Sequence, residues 1–290
     1  MGEEAENIIP DGTELRASLT ENATLGAGNT YYLTGAYTVE EGATLNIQEG
    51  VTIIARYDDT VDYILVKQGA KINAIGTAEN PIVMTSEQEE AGAWGGIHIC
   101  GRAHTNAEGG QGSSEIGGAT YGGDDDSDNS GTLQYVRVEY TGYAFDEEHE
   151  ANGISFYGVG NGTTVDHCVA YKGSDDGFEF FGGSVNVSNM VVISCSDDSF
   201  DWTEGWNGKG TDLVAYQEPE ATLGYNCDCL IEADNNGDNF DSTPVAHPTL
   251  NNLILVGNGS DSQGVRLRAG TQVTMDNAQV CGKGRPLTVE

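Results

Sequence analysis

Two adjacent pairs of aspartates stand out. Asp175-Asp176 lies in Gly173-Ser174-Asp175-Asp176-Gly177-Phe178-Glu179-Phe180-Phe181-Gly182-Gly183, and Asp197-Asp198 in Ser196-Asp197-Asp198-Ser199-Phe200-Asp201-Trp202-Thr203-Glu204-Gly205. The pairs are 22 residues apart. Each runs into a short strand alternating aromatic with acidic side chains, carrying Glu179 in the first and Asp201 in the second. If the segments are consecutive coils of a solenoid, equivalent side chains stack one strand spacing apart, ~4.8 Å. A retaining glycosidase holds two carboxyl groups ~5–5.5 Å apart and an inverting one ~6.5–9.5 Å, with their pKa values pushed apart. Neighbouring coils supply the shorter distance and next neighbours the longer. Arg266 and Arg268 are candidate cations for an acidic sugar. The same Asp-Asp turns also suit a purely architectural role, in which their side chains satisfy the backbone at a corner.

Clustered carboxylates are also hard oxygen ligands, for which Ca2+ is the natural metal. Asp234, Asn236 and Asp238 fall at alternate positions, with Asp241 beyond them, as in an EF-hand loop. The match is partial: Gly237 occupies loop position four, Asn239 stands where that loop has its glycine, and Val245 replaces the bidentate glutamate. Asp124, Asp126 and Asp128 form a second acidic run, which equally suits a solvated loop. Trp202 and Trp206 flank Glu204, an aromatic and carboxylate combination that suits a sugar ring if exposed. The alternative places Trp202 in the core and Trp206 over a corner. The five histidines share no metal-ligand spacing.

The elements that position these residues are short strands. Gly153-Ile154-Ser155-Phe156, Gly177-Phe178-Glu179-Phe180, Ser199-Phe200-Asp201-Trp202 and Gly264-Val265-Arg266-Leu267 read as equivalent strand starts, with Asn239-Phe240-Asp241 as a fifth. Phe156, Phe178 or Phe180, Phe200 or Trp202, and Phe240 are then candidates for an internal aromatic ladder. Earlier, Gly42 and Gly69 open equivalent segments 27 residues apart. Long insertions are expected near 103–131 and 217–238, and a loop of that length is commonly functional or disordered. Residues 1–30 read as a polar lead-in or cap, residues 31–290 as the solenoid, and more chain is expected beyond 290.

Composition agrees with a thin-cored solenoid. Of 290 residues 41 are glycine and 6 proline, and 38% are hydrophobic. A charge of −34 (12 basic, 46 acidic) argues against nucleic acid and anionic membranes as partners and permits divalent cations and neutral or cationic ligands. No apolar run approaches the ~20 residues of a membrane helix. Met1-Gly2-Glu3-Glu4 carries no leader features, so a native leader is expected to have been removed. The six cysteines are Cys100, Cys168, Cys195, Cys227, Cys229 and Cys281; one disulfide through Cys227 or Cys229 is favoured, with small buried core residues as the alternative.

Trp94-Gly95-Gly96-Ile97, Glu115-Ile116-Gly117, Tyr121-Gly122-Gly123-Asp124, Ser130-Gly131-Thr132-Leu133-Gln134-Tyr135-Val136-Arg137, and the two Asp-Asp segments together resemble a large group of β-helix proteins. These are secreted or surface-anchored proteins found mainly in Bacteroidetes and marine bacteria. The resemblance covers roughly residues 35–290. It implies a pectin-lyase-like right-handed parallel β-helix exported to the cell surface, and no established activity. Polygalacturonase-type hydrolases share the fold and carry aspartates on successive coils, but their Gly-His-Gly and Arg-x-Lys elements are not found here.

The reading is an all-β, right-handed parallel β-helix with long loop insertions. Its leading function is an extracellular or cell-surface module for binding or adhesion, to glycan or other surface proteins, stabilised by Ca2+ and more binding protein than enzyme. A polysaccharide hydrolase or lyase using the stacked aspartates, and a structural component of a surface assembly, are the alternatives.

Overall fold

A computed structural model of the chain describes residues 6–290. Its parallel strands join in one continuous 22-stranded sheet wound as a right-handed parallel β-helix. Each coil visits three faces. The front sheet stacks Tyr63–Val66, Ile97–Cys100, Ile154–Tyr157, Phe178–Phe181, Phe200–Thr203, Ile231–Asp234, Gln263–Arg268 and Arg285–Val289. The other two faces come mostly from long strands that bend in the middle: Gly131–Glu139, Thr164–Tyr171, Asn186–Ile193, Lys209–Tyr216, Thr249–Val256 and Thr274–Cys281. Their first halves form a side sheet and their second halves a rear sheet.

The bend is local backbone chemistry. Tyr135, His167, Asn189, Asp212, Asn252 and Asn277 stack at this corner, each left-handed with φ between 50° and 63°. That conformation costs most residues ~1–2 kcal/mol, and Asn and Asp bear it best because a short polar side chain bonds locally. Asn189 Nδ2 donates to Asp166 Oδ1 at 2.9 Å, and Asn252 bonds Asp212. The two bulky members compensate by stacking: the Tyr135 and His167 rings lie 4.5 Å apart.

The core runs along the axis. Front-sheet positions alternate, so Phe156, Phe178, Phe180, Phe200 and Trp202 point inward and are buried. Phe156 stacks on Phe180 at 5.1 Å, Phe180 on Trp206 at 4.0 Å, and Trp206 tilts against Trp202 at 5.7 Å. The aromatic ladder is therefore present, but it closes on Trp206 rather than Phe240, which is 59% exposed. The register pairs Asp201 with Glu232 and Glu232 with Arg266, so the fifth strand start is Leu230-Ile231-Glu232-Ala233. Asn239-Phe240-Asp241 lies outside any strand. The segment 217–238 is thus a loop over 217–229 followed by a strand, with a second loop after Asp234. The coils also begin earlier than expected, since Ile8–Ile9 pairs with Ala23–Leu25 and Glu14–Leu19 with Thr30–Val39. The 27-residue spacing holds, with Thr44 opposite Lys71.

The insertion at 103–131 is ordered and lies against the outside of the front sheet. Its Ala119 and Tyr121 make a second small core with Leu65, Cys100, Tyr157 and Phe181. Tyr121 Oη and Thr105 Oγ1 both donate to Glu204 Oε2, at 2.8 and 2.6 Å. All six cysteines are free, and Cys227 and Cys229 are buried core-type residues, so the favoured disulfide does not form.

Candidate functional site

Two rows of polar side chains run along the outer face of the front sheet, the first largely buried and the second half-buried from Glu179 onward. The first row starts one turn before the strands. Asp176 N–H donates to Asn152 Oδ1 at 3.2 Å, Asp198 N–H to Asp176 Oδ1 at 2.9 Å, and Cys229 N–H to Asp198 Oδ1 at 2.9 Å. The second member of each Asp-Asp pair therefore builds the corner, as its turn chemistry predicts. Only one carboxylate oxygen is used by that bond. The second row lies on the strands themselves, where Ser155, Glu179, Asp201, Glu232 and Arg266 are successive register partners. Period-two alternation puts these side chains outward because their neighbours fill the core. Asn152 Nδ2 ties the rows together, donating to Glu179 Oε2 at 2.7 Å and Ser155 Oγ at 2.9 Å.

The result is one continuous carboxylate array. Oxygens of Asp175, Asp176 and Asp197 lie within 4.8 Å of one another, as do those of Asp176, Glu179 and Asp201. Ligand atoms of Asp198, Asp228, Cys229 and Glu232 form a third such set. Glu115 of the insertion and Glu150 of the hairpin Ala144–Glu150 approach the rim, close enough to repel the Asp175 carboxylate. Arg266 and Arg268 close the far end. Arg268 Nε donates to Asp234 Oδ1 at 2.7 Å and its guanidinium also pairs with Glu232. Arg266 reaches Glu232 at 3.4 Å and Glu290 at 3.0 Å.

Two guanidinium groups cannot balance this many carboxylates. Burial raises Asp175 to about 8, reinforced by repulsion from Asp197. Burial first and Glu150 second raise Glu115 to about 7. Asp176, Glu179, Asp198 and Asp201 are pushed well above the carboxylate range by burial, then by Asp175, Glu115, Asp197 and Glu179 respectively. Burial also raises Glu232, against the pull of Arg268 and Arg266. Such a groove keeps protons at neutral pH or exchanges them for a cation. Glu179, Asp201 and Glu232 are half-buried and still reach solvent. The donor set is all-oxygen in two of its three parts, a chemistry that fits Ca2+; Asp175, Asp176, Asp197, Glu179 and Asp201 are the residues that would hold it.

The profile of the pectate-lyase-like beta helix domain matches residues 17–290. The chain belongs to that family. No curated protein and no solved structure gives a significant match. Domains of this family are typically extracellular, and no helix among the described residues is long and apolar enough to cross a membrane.

Of the residues singled out from sequence, Asp175, Asp176, Asp197, Asp198, Arg266 and Arg268 meet on this face. The others have different partners. Trp202 and Trp206 are core residues at 1% exposure, with indole N–H groups bonded to Thr271 and Val185, so neither can stack on an external sugar. Glu204 pins the insertion instead of facing a ligand. Asn236 Oδ1 caps the N–H groups of Asp238 and Asn239, and its amide bonds Asn106. Asp234 is held by Arg268, and Asp238 and Asp241 are exposed, so no EF-hand-like cage forms. Asp126 bonds His104, Asp128 bonds Ser130, and Asp124 is exposed. Sequence reading missed Glu115, Glu150, Asp228 and Glu232. The alternation Ile231-Glu232-Ala233-Asp234 carried the signal for Glu232; Glu115 and Asp228 arrive from loops and Glu150 from a two-residue hairpin strand, none of which offers a periodicity to read.

Proposed function

We propose that the chain is a glycan-binding module of the extracellular space or cell surface, and that the front-sheet groove is its binding site, loaded with Ca2+. The carrying observation is the joined carboxylate array of Asp175, Asp176, Asp197, Glu179 and Asp201 on the outer side of the front sheet, with Glu179 and Asp201 half-exposed. Ca2+ held by these residues would supply a hard cation for sugar hydroxyls, which are also hard oxygen ligands. Arg266 and Arg268 suit an acidic sugar at one end. The hairpin that carries Glu150 also carries Phe145, 50% exposed and edge-on to Tyr143 at 5.2 Å, an aromatic platform beside the carboxylates. Membership of a pectate-lyase-like family supports a polysaccharide as the ligand class. The test is retention on immobilised polysaccharides with Ca2+ and with EDTA. Retention that needs Ca2+ and falls in Phe145→Ala supports the reading; equal retention in both buffers, or none, refutes it.

One observation favours a second reading, polysaccharide cleavage. Asp175 and Glu115 are raised to about 8 and about 7, the state a general acid needs at neutral pH. Release of reducing ends or unsaturated uronates from the retained polysaccharide, lost in Asp175→Asn, would establish it.

A further inference from the structure

A separate cavity of about 360 Å³ opens where the rear sheet turns toward the front, beneath the loop at 217–229. None of its lining residues belongs to the carboxylate array. Its size is at the small end of ligand pockets, ~300–1,000 Å³. Two half-buried tyrosines face it. Tyr225 is fixed by its hydroxyl, which donates to the Ser194 carbonyl at 2.7 Å. Tyr140 packs edge-on against Tyr171, ring centroids 5.9 Å apart. Leu223 adds an apolar side, and Glu89 and Glu90 stand exposed at the rim. The Lys172 ammonium lies 5.0 Å from the Tyr171 ring centroid, and its carboxylate partner Glu218 is no closer than 3.6 Å.

The backbone at this cavity turns a left-handed corner that successive coils repeat. Tyr140 and Lys172 occupy equivalent places on successive coils, and both are left-handed, at φ 61° and 52°. Gly or Asn would sit there at lower cost. Both strained residues instead carry long side chains, and both line the cavity. Ser194 continues the same column at φ 54°, so the left-handed corner belongs to the coil repeat, and what sets the cavity apart is the two long side chains it carries there.

Aromatic faces, carboxylates and one ammonium in a small cavity match a pyranose ring, with C–H faces against tyrosine and hydroxyls to the charged groups. Glu89 and Glu90 outnumber Lys172, which disfavours an anionic sugar. We infer that this cavity is a second glycan site, taking a neutral pyranose residue without a metal ion. With the groove it makes one rigid module bivalent.

Saturation-transfer NMR on the full chain in EDTA tests this, with methyl α-glucoside, methyl β-galactoside and methyl β-N-acetylglucosaminide as probes. Transfer to at least one probe is expected. Tyr140→Asn removes the ring yet tolerates the left-handed backbone, and melting confirms that it folds. It should weaken binding about tenfold, the loss of one aromatic contact. Asp175→Asn should leave binding unchanged, which separates this site from the groove. No transfer from any probe, transfer that survives both Tyr140→Asn and Lys172→Asn, or transfer that appears only with Ca2+ overturns the proposal.

Discussion

Replacing Asp175 by Asn should make the metal-free protein more stable, and only above acidic pH. The native carboxyl titrates near 8 against an ordinary 3.8 because it is buried beside Asp197. The native state therefore holds a proton that the unfolded chain has released between those two values. Stability must fall as pH rises through that window, because the unfolded state binds fewer protons there. At ~1.4 kcal/mol per pH unit the ceiling is roughly 6 kcal/mol for Asp175 alone. Neighbouring carboxyls share the proton, so the single amide recovers less, about 2 kcal/mol or ~4 °C in Tm at pH 8.5. At pH 4 the variant and the parent should melt nearly together, since the native carboxyl is protonated and the unfolded one, at an ordinary 3.8, is only about half ionised. The assay is thermal unfolding in EDTA from pH 4 to pH 9. Parallel pH profiles for parent and variant, or a variant less stable at pH 8.5, would refute the electrostatic account. With millimolar Ca2+ the order should reverse, because Asn gives up a charged ligand.

Other expectations concern the scaffold. Phe180→Ala opens a void between Phe156 and Trp206 and should cost ~3–5 kcal/mol in chemical denaturation, whereas Phe240→Ala on the exposed loop should stay within ~0.5 kcal/mol. Asn189→Val forces a β-branched residue into the left-handed corner and should cost at least ~1–2 kcal/mol, whereas Asn189→Gly should lose little beyond the bond to Asp166. Gly131→Ala sets a methyl group against the Ile72 carbonyl at φ 119° and should prevent soluble expression or lower Tm steeply.

Strand periodicity made the fold legible. Period two separates Phe178, Phe180, Phe200 and Trp202 from Glu179 and Asp201, and the 22-residue spacing stacks the two segments; which set points inward came from the structure, which buries all four aromatics. The reading failed where a loop interrupted the repeat. Asn239-Phe240-Asp241 copies the local pattern of a strand start, whereas the true strand, Ile231–Asp234, lacks an aromatic and was hidden inside the presumed insertion. Trp202 and Trp206 looked like a sugar platform because spacing does not show that Gly205 turns the chain, at φ 87°, and returns Trp206 to the core. The Asp/Asn-rich run at 234–241 looked like a metal loop because sequence does not show that Arg268 and the loop's own N–H groups take those oxygens. Glu115 and Glu150 reach the groove through tertiary placement of an insertion and a hairpin.

The measurement that bears most directly on the front-sheet groove is calorimetric titration of Ca2+ into EDTA-stripped protein at pH 7.5. Saturable binding is expected, lost in Asp176→Asn/Glu179→Gln and kept in Asp238→Asn and in Asp124→Asn. No saturable heat, or binding that survives the groove substitutions and disappears with Asp238 or Asp124, would contradict the assignment.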